Sequence, residues 1–599
     1  MDGYSVTDIE LDHISNKHTG IYNVHNINTK FLANRLSLIV SLDVNDTTRN
    51  SSHNKLLQVL AGKLHYTGNV KFNDICVDTT SYSEKIGYIS ESDYSYRTIT
   101  PYEKLLLACS LRYHNLKSKK DQHALVKYII LKLKINDHDK YHGTLISRSY
   151  SALNEKLIEL GVRLIYNYDI ILLENPTLYM NVYETSYFLN TIKRILDNKT
   201  IVISMDLVNN QILQQFDDVT IISKSHVVYS GKVNFVSTYL YDIGCPCKSE
   251  DDIIQYFMYI VQNPHIKILF DETWKTSTIN NNVYAYKTLV NYYQQMYEFR
   301  QPVESQKFVC NEMLHLQCRE IKHVCRNDRL WIFELGVILV CNILLGVTFQ
   351  NTVYWNNNYN IEYWSESRFS IINTVLITNT LLLTYFSINT YRYDFMLYKQ
   401  EKYMYSAVRY IISKTFTEII KVFLYVSIIL GINFGLIGLY GKFLNLLVEF
   451  STIILSVTTF VMLTCSILSY GEHIAFCVYF LPQCLLCGLV IPVSDIYQYV
   501  QPVYYMCLLN YGVNIMSVEE MTVLPQTLTQ NNIDILFETT YGCLPSNATN
   551  YTCDTIINDY AIFPRNHIRV ENQIIYIQIL GIFTLIGRIF TCIAINCKK

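Results

Sequence analysis

Six stretches of about 20 largely apolar residues, all in the second half of a 599-residue chain, decide most of what it can fold into. Crossing a bilayer core of ~30 Å takes a helix of roughly that length, with its backbone polar groups satisfied inside the segment. The stretches run roughly 331–349, 370–390, 419–440, 446–468, 473–491 and 573–595. The first residues, MDGYSVTDIELDHIS, are polar and acidic and carry no apolar run of the kind a secretory signal needs. The first span is therefore expected to do the targeting.

Basic residues orient the spans, because Lys and Arg collect on the cytosolic side. Arg319, Lys322, Arg326 and Arg329 precede the first span, and Arg392, Lys399, Lys402, Arg409, Lys414 and Lys421 separate the second from the third. The 495–572 loop has only Arg565 and Arg569. Both termini are thus expected in the cytosol and 495–572 outside. Asn547-Ala-Thr and Asn550-Tyr-Thr are glycosylation acceptors usable on that outer side. Cys543 and Cys553 flank them, where a disulfide would be stable. Inside the spans stand Glu334, Asn373, Asn379, Asn433, Glu449 and Arg588. Intramembrane charge is costly and usually faces a bundle interior or a cavity, and Asn residues there serve helix-to-helix hydrogen bonds.

The first half is different in kind. Charged residues are 17 % of the chain, and most lie before residue 330; the net charge of −2 gives no basic field for nucleic acid. Seventeen cysteines scattered over such a length are not a small disulfide scaffold. LSLIVSLD at 36–43 reads as a buried strand, followed by a polar loop and a helix beginning near Asn54. Asp169–Glu174 and Thr200–Ser204 read as further parallel strands, with helical patterns between them. That alternation argues for an α/β layer.

The order of segments resembles the G subfamily of ABC transporters, the white/scarlet type of half-transporter, in which a nucleotide-binding domain precedes the membrane domain. Leu56-Leu-Gln-Val-Leu-Ala-Gly62 is similar to the helix after the phosphate loop, and Ile86–Asp93 with Thr98–Glu103 to the Q-loop segment and the next helix start. Tyr150-Ser-Ala-Leu-Asn-Glu matches the signature helix in spacing, Asp169–Thr177 the second phosphate-site strand, and Thr200–Asp206 the switch-histidine strand. In the membrane half, Glu401–Glu418 and Leu481–Gly488 resemble the segment before the family's third span and its fifth span. The resemblance covers roughly residues 20–596 in order. It implies an α/β P-loop-type domain over 1–260, a linker and amphipathic connecting helix over 261–330, and a six-helix membrane domain over 331–596. It also implies a homodimer or a heterodimer with another half-transporter, membrane lipid as surroundings, no nucleic acid, and Mg-ATP only if binding persists or through an intact partner subunit.

Within that resemblance the nucleotide motifs are eroded. A phosphate loop needs glycines so that backbone N–H groups can wrap the phosphates, a lysine for the β/γ charge and a hydroxyl for Mg²⁺. Here Thr47–Lys55 has no glycine; His53 stands at the lysine position, Asn54 at the hydroxyl position, and Lys55 two residues late, turned by roughly 200° around a helix. The resemblance further matches Glu91 to the Q-loop glutamine, Glu174 to the metal-supporting aspartate, Asn175 to the general-base glutamate and Asp206 to the switch histidine. Tyr179-Met-Asn181 replaces the family's G-L-D, and of its S-G-G signature Ser151 remains, followed by Ala152 and Leu153. No catalytic residue is retained, and the expectation is a pseudo-ATPase subunit. It would move a lipophilic substrate with an intact partner, or else serve as a non-transporting scaffold or regulator of another half-transporter.

One further cluster precedes the first span: Cys310, His315, Cys318, His323 and Cys325. Their spacing lacks a CxxC pair and does not set four ligands on one face, so an amphipathic helix explains them better than zinc. Cys325 is juxtamembrane, where cysteines are candidates for palmitoylation.

Overall fold

The computed structural model describes residues 8–18, 21–42, 51–77, 79, 86–91, 99–113, 119–135, 151–196, 199–206, 208–223, 225–247, 252–261, 310–326, 328–350, 361–439, 441–468, 472–487, 491, 495–527 and 572–597. The chain divides into two compact units, Met1–His315 and Leu316–Lys599. The phosphate-loop residues before Ser51, the acceptors Asn547 and Asn550, and Cys543 and Cys553 lie outside the described residues.

The first unit carries ten described strands: β1 (Ile9–His18), β2 (Ile21–Phe31), β3 (Leu36–Ser41), β4 (Thr67–Phe72), β5 (Ile75–Cys76), β6 (Ile86–Ile89), β7 (Ile170–Glu174), β8 (Thr200–Ser204), β9 (Asp218–Ser223) and β10 (His226–Lys232). One sheet has the order β2-β1-β4-β5 with antiparallel pairings, and the other the order β10-β9-β3-β8-β7-β6. In the second, β3, β6, β7, β8 and β9 run parallel and only the β9–β10 pair is antiparallel. IILLE of β7 and TIVIS of β8 are buried along their whole length. Such continuous apolar runs suit central parallel strands, which are covered on both faces.

Helix α1 (Ser52–Leu60) shares one apolar core with both sheets. Leu56, Leu57 and Leu60 pack with Ile9, Leu11 and Phe72 of the antiparallel sheet and with Leu172 and Val202 of the parallel one. Each such side chain, fully buried, contributes roughly 1.5–3 kcal/mol. The helix begins after Ser51, whose backbone is extended, and ends where Gly62 takes a φ of 69°. A residue without Cβ accepts that left-handed turn at little cost.

Four more helices flank the sheet. Helix α2 (Pro101–Arg112) opens on a capping box between Thr100 and Glu103, with Pro at the first turn, and α3 (Lys119–Leu133) follows. Helix α4 (Ala152–Tyr166) is capped by Ser151, and α5 (Val182–Lys193) by a second box between Asn181 and Glu184. Short helices α6 (Asn210–Leu213), α7 (Val236–Asp242) and α8 (Ile253–Val261) complete the described part of the unit.

The second unit is helical. Helix α9 (Cys310–Arg326) leads into α10 (Asp328–Phe349), then α11 (Ile361–Glu401), α12 (Ala407–Ile437), α13 (Phe443–Ile467), α14 (Glu472–Leu486), α15 (Gln501–Met506), α16 (Leu508–Thr527) and α17 (Gln573–Cys597). Among the described residues, five helices are long and apolar enough to cross a membrane: α10, α11, α12, α13 and α17. Among the described residues, the fifth stretch expected from hydropathy forms α14, 15 residues with Pro482 inside it. At ~1.5 Å per residue it is about 22 Å long, short of a ~30 Å core.

The segment 495–527, read from sequence as the start of an outer loop, is largely helical. In α16, Leu509, Val513, Met516 and Val518 are buried, and so are Asn510, Asn514, Glu519 and Glu520. Hydropathy passes over this helix because its buried face is half polar.

Candidate functional site

The carboxyl ends of β3, β6, β7 and β8 open on one edge of the parallel sheet, where α/β proteins place their ligands. Each strand delivers one or two of the residues singled out above. His53 and Asn54 lie in the first turn of α1, Glu91 just beyond β6, Glu174 and Asn175 at the end of β7, and Asp206 just beyond β8. Local rules explain the first step. A buried strand followed by a helix with an N-terminal Ser turns the chain over the sheet edge and aims the first helical turn across it.

The side chains meet. His53, 2 % exposed, places Nε2 at 2.8 Å from Asp206 Oδ1. Asn175 Nδ2 donates to the other Asp206 oxygen at 2.9 Å and to Glu91 Oε2 at 3.4 Å. Asn175 itself holds a φ of 40°, a left-handed conformation that asparagine tolerates better than most residues. Asn54 is fully buried and accepts from Ser204 Oγ at 2.7 Å. The Asn175 N–H donates to the Ser204 carbonyl at 3.1 Å and lies 3.2 Å from its hydroxyl. Glu174 accepts from Gln58 Nε2 at 2.9 Å and from the Tyr88 hydroxyl.

Six of the eight positions named from sequence therefore form one polar cluster, and two do not. Ser151 caps α4, its Oγ accepting from Asn154 N at 3.4 Å. Lys55 is half-buried and makes no ion pair with the cluster among the described residues. Three members were missed: Gln58, Tyr88 and Ser204. Gln58 could have been found, since it lies one turn beyond Asn54 on the same helix face. Tyr88 and Ser204 belong to strands whose register only the folded sheet defines.

The cluster holds three carboxylates, Glu91, Glu174 and Asp206, of which Asp206 meets the imidazole of His53. Lys156 donates to the carbonyls of Ser90 and Glu91 at 2.8 and 3.0 Å. Two buried atoms, His53 Nδ1 and Asn175 Oδ1, have no hydrogen-bond partner among the described residues.

The membrane unit pairs its buried charges. Arg319 donates to Glu401 at 2.6 Å, to Glu320 at 3.2 Å and to the Tyr405 hydroxyl at 3.1 Å, while Lys414 bonds Asp394 at 2.5 Å and Glu320 at 3.3 Å. Glu334 meets Lys421 at 2.8 Å and the Tyr425 hydroxyl at 2.7 Å, and Arg588 pairs with Glu418. Asn342, Asn379 and Asn433 form a buried amide triad with contacts of 2.8–3.0 Å. Glu449 accepts from Gln573 at 2.7 Å. Asn373 is buried with neither amide atom partnered among the described residues. A cavity of about 80 Å³ lies among Glu334, Tyr391, Lys414, Glu418 and Lys421. Its paired, charged lining suits ordered water better than a lipophile.

Residues 311–521 match the ABC-2 type transporter family. Over 211 residues the chain is 28 % identical to a probable ATP-dependent permease of Saccharomyces cerevisiae, covering 34 % of this chain and 20 % of that protein. It is 22 % identical over 284 residues to ABC transporter G family member 6 of Dictyostelium discoideum, covering 46 % and 18 % respectively. With ABC transporter G family member 7 of Arabidopsis thaliana it shares 24 % identity over 189 residues, 30 % of this chain and 26 % of that one. The matched part thus spans about a quarter or less of these relatives' own length. A bacterial ABC transporter cassette solved as a dimer is similar over 38 % of this chain and 98 % of its own, at 15 % identity and a TM-score of 0.32.

A parallel-sheet domain thus precedes a segment that matches the membrane domain of ABC-2 type transporters. Among the proteins it resembles are members of the G family of ABC transporters and a putative white-brown complex homolog, so the matched part of the chain is similar to the G type.

Proposed function

We propose that this chain is a half-transporter subunit that exports a lipophilic substrate as a dimer, and that the nucleotide site built on its own loop is inert. The observation that carries the second part is the His53–Asp206 pair. The anion beside the first turn of α1 is a carboxylate of the chain itself, where a P-loop protein would receive phosphate. The residues do not fit Mg-triphosphate. Glu91 and Asp206 add negative charge beside Asn175, and Glu174 is engaged by Gln58 and Tyr88. Asn175 cannot take a proton from water. The fold is then retained for packing and for its interface with a partner.

Domain limits of 1–260, 261–330 and 331–596 follow from the same reading. So does an orientation with both termini cytosolic and the loop around Asn547 outside. In cells with a glycosylating secretory pathway, glycosidase should shift the mobility of the wild type but not of a chain lacking Asn547 and Asn550. A wild type without glycan that is protease-accessible at this loop only from the cytosolic side would reverse the orientation.

Transport and scaffolding separate by partner. Crosslinking in native membranes should yield a dimer, either of two copies or with a half-transporter that hydrolyses ATP. The chain and that partner together should show substrate-stimulated turnover. Recovery of monomer alone would remove the half-transporter reading; a stable complex that moves no lipophilic probe would favour a scaffold.

A further inference from the structure

We propose that Cys318 and Cys325 of α9 form an S-acylation site, each taking a long-chain fatty acyl group in thioester linkage that seats in the adjoining membrane surface. Both residues are exposed. They lie seven positions apart, which on a helix returns to nearly the same face about 10 Å further along. Ile321, also exposed, stands between them at the i+3 position, so the three side chains make one outward stripe.

The rotation of α9 is held from its other side. Leu316, Arg319 and Glu320 are buried, and the ion pairs of Arg319 with Glu401 and of Glu320 with Lys414 tie that face to α11 and α12. The stripe therefore cannot turn inward to be covered by the unit's own core. Cys325 lies six positions before Trp331, where the first span begins. That span exposes Ile332, Phe333, Val340 and Leu344, an apolar surface that only acyl chains or another membrane helix would cover. A cysteine pair on an amphipathic helix so placed sits at the depth where acyl chains enter, and two chains anchor far better than one.

The reaction is an acyl exchange without net redox change. Each cysteine sulfur attacks the carbonyl carbon of a fatty acyl thioester such as acyl-coenzyme A. The new sulfur–carbon bond forms as the old one breaks, and the cysteine proton passes to the departing thiol. The proposal rests on the cytosolic placement of α9 given above, since acyl thioesters of that kind are cytosolic.

The test uses the full-length chain expressed in a eukaryotic cell. Free thiols are blocked, thioesters are cleaved with hydroxylamine, and the released thiols are tagged with a polyethylene glycol maleimide. Wild type should show up to two hydroxylamine-dependent mass steps. Cys318→Ser and Cys325→Ser should each remove one, the double variant both, and Cys597→Ser, at the exposed end of α17, neither. No hydroxylamine-dependent step in wild type, or steps that persist in the double variant, would overturn the proposal. Glycan on Asn547 or Asn550 in the same sample would show that the orientation stood even so. An unchanged elution profile in detergent confirms that the serine variants fold.

Discussion

Replacing Asn175 by glutamate in the full-length chain should leave Mg-ATP turnover at background, although it puts the general-base carboxylate back. A positioned base contributes roughly 10²–10⁴-fold to rate, but only to a phosphate already held in line. Nothing in this cluster holds one, because His53 is committed to Asp206 and the positions around it lack the lysine and glycines of a phosphate cradle. The substitution also removes a donor. Asn175 Nδ2 bridges Asp206 and Glu91 at 2.9 and 3.4 Å, and a glutamate there would set a third carboxylate against those two. Two like charges ~4 Å apart repel by about 4 kcal/mol at an effective dielectric of ~20, an upper bound because Asp206 is a quarter exposed. Asn175→Glu should therefore lower the melting temperature of the chain and gain no vanadate-sensitive hydrolysis. A tenfold or greater rise in turnover would mean that the phosphates are held by groups outside this cluster.

Arg319→Ala should be among the most damaging single substitutions in the membrane unit. Arg319 is 5 % exposed and is the cation shared by Glu401, Glu320 and the Tyr405 hydroxyl. Removing it leaves Glu401 buried with a hydrogen bond from Tyr405, and takes one cation from Glu320, which keeps its pair with Lys414. Breaking a buried pair from one side costs about 3–5 kcal/mol, since the remaining charge cannot be rehydrated in place. Arg319→Lys should fall between, because an ammonium supplies charge but not the planar fork that reaches three acceptors. Lys402→Ala, an exposed change one residue from Glu401, should stay within about 0.5 kcal/mol of wild type. Thermal denaturation in one detergent, read by loss of the monodisperse peak, compares all three. Equal stability of Arg319→Ala and Lys402→Ala would show that the ion pairs are dispensable.

Much of this organisation was legible before folding, for reasons that differ by region. The buried strands β7 and β8 announce themselves by apolar runs, and the start of α2 by the Thr98–Glu103 segment. The membrane helices α10, α11, α12, α13 and α17 follow from hydropathy. The partners of the buried charges do not. Glu334 and Lys421 are 87 positions apart in the chain, and Glu418 and Arg588 are 170 apart, so only helix packing joins them. Helix α16 escaped because Asn510, Asn514, Glu519 and Glu520 occupy its buried face and dilute the apolar signal.

At the candidate site, the motif positions were readable one at a time, but not their mutual contacts. That His53, at the lysine position, should bond Asp206, at the switch position, depends on the alignment of β3 with β8, in which Ile39 lies opposite Ser204. A one-residue slip in that pairing would turn alternate side chains to the opposite face of the sheet.

The central claim is that this chain's own site does not accept nucleotide, and equilibrium binding of Mg-ATP to the purified full-length chain tests it most directly. With a labelled nucleotide, the account predicts no saturable binding up to millimolar concentration, and no change when Asp206→Ala frees His53. Saturable micromolar binding by wild type, lost in His53→Ala or Lys55→Ala, would contradict it.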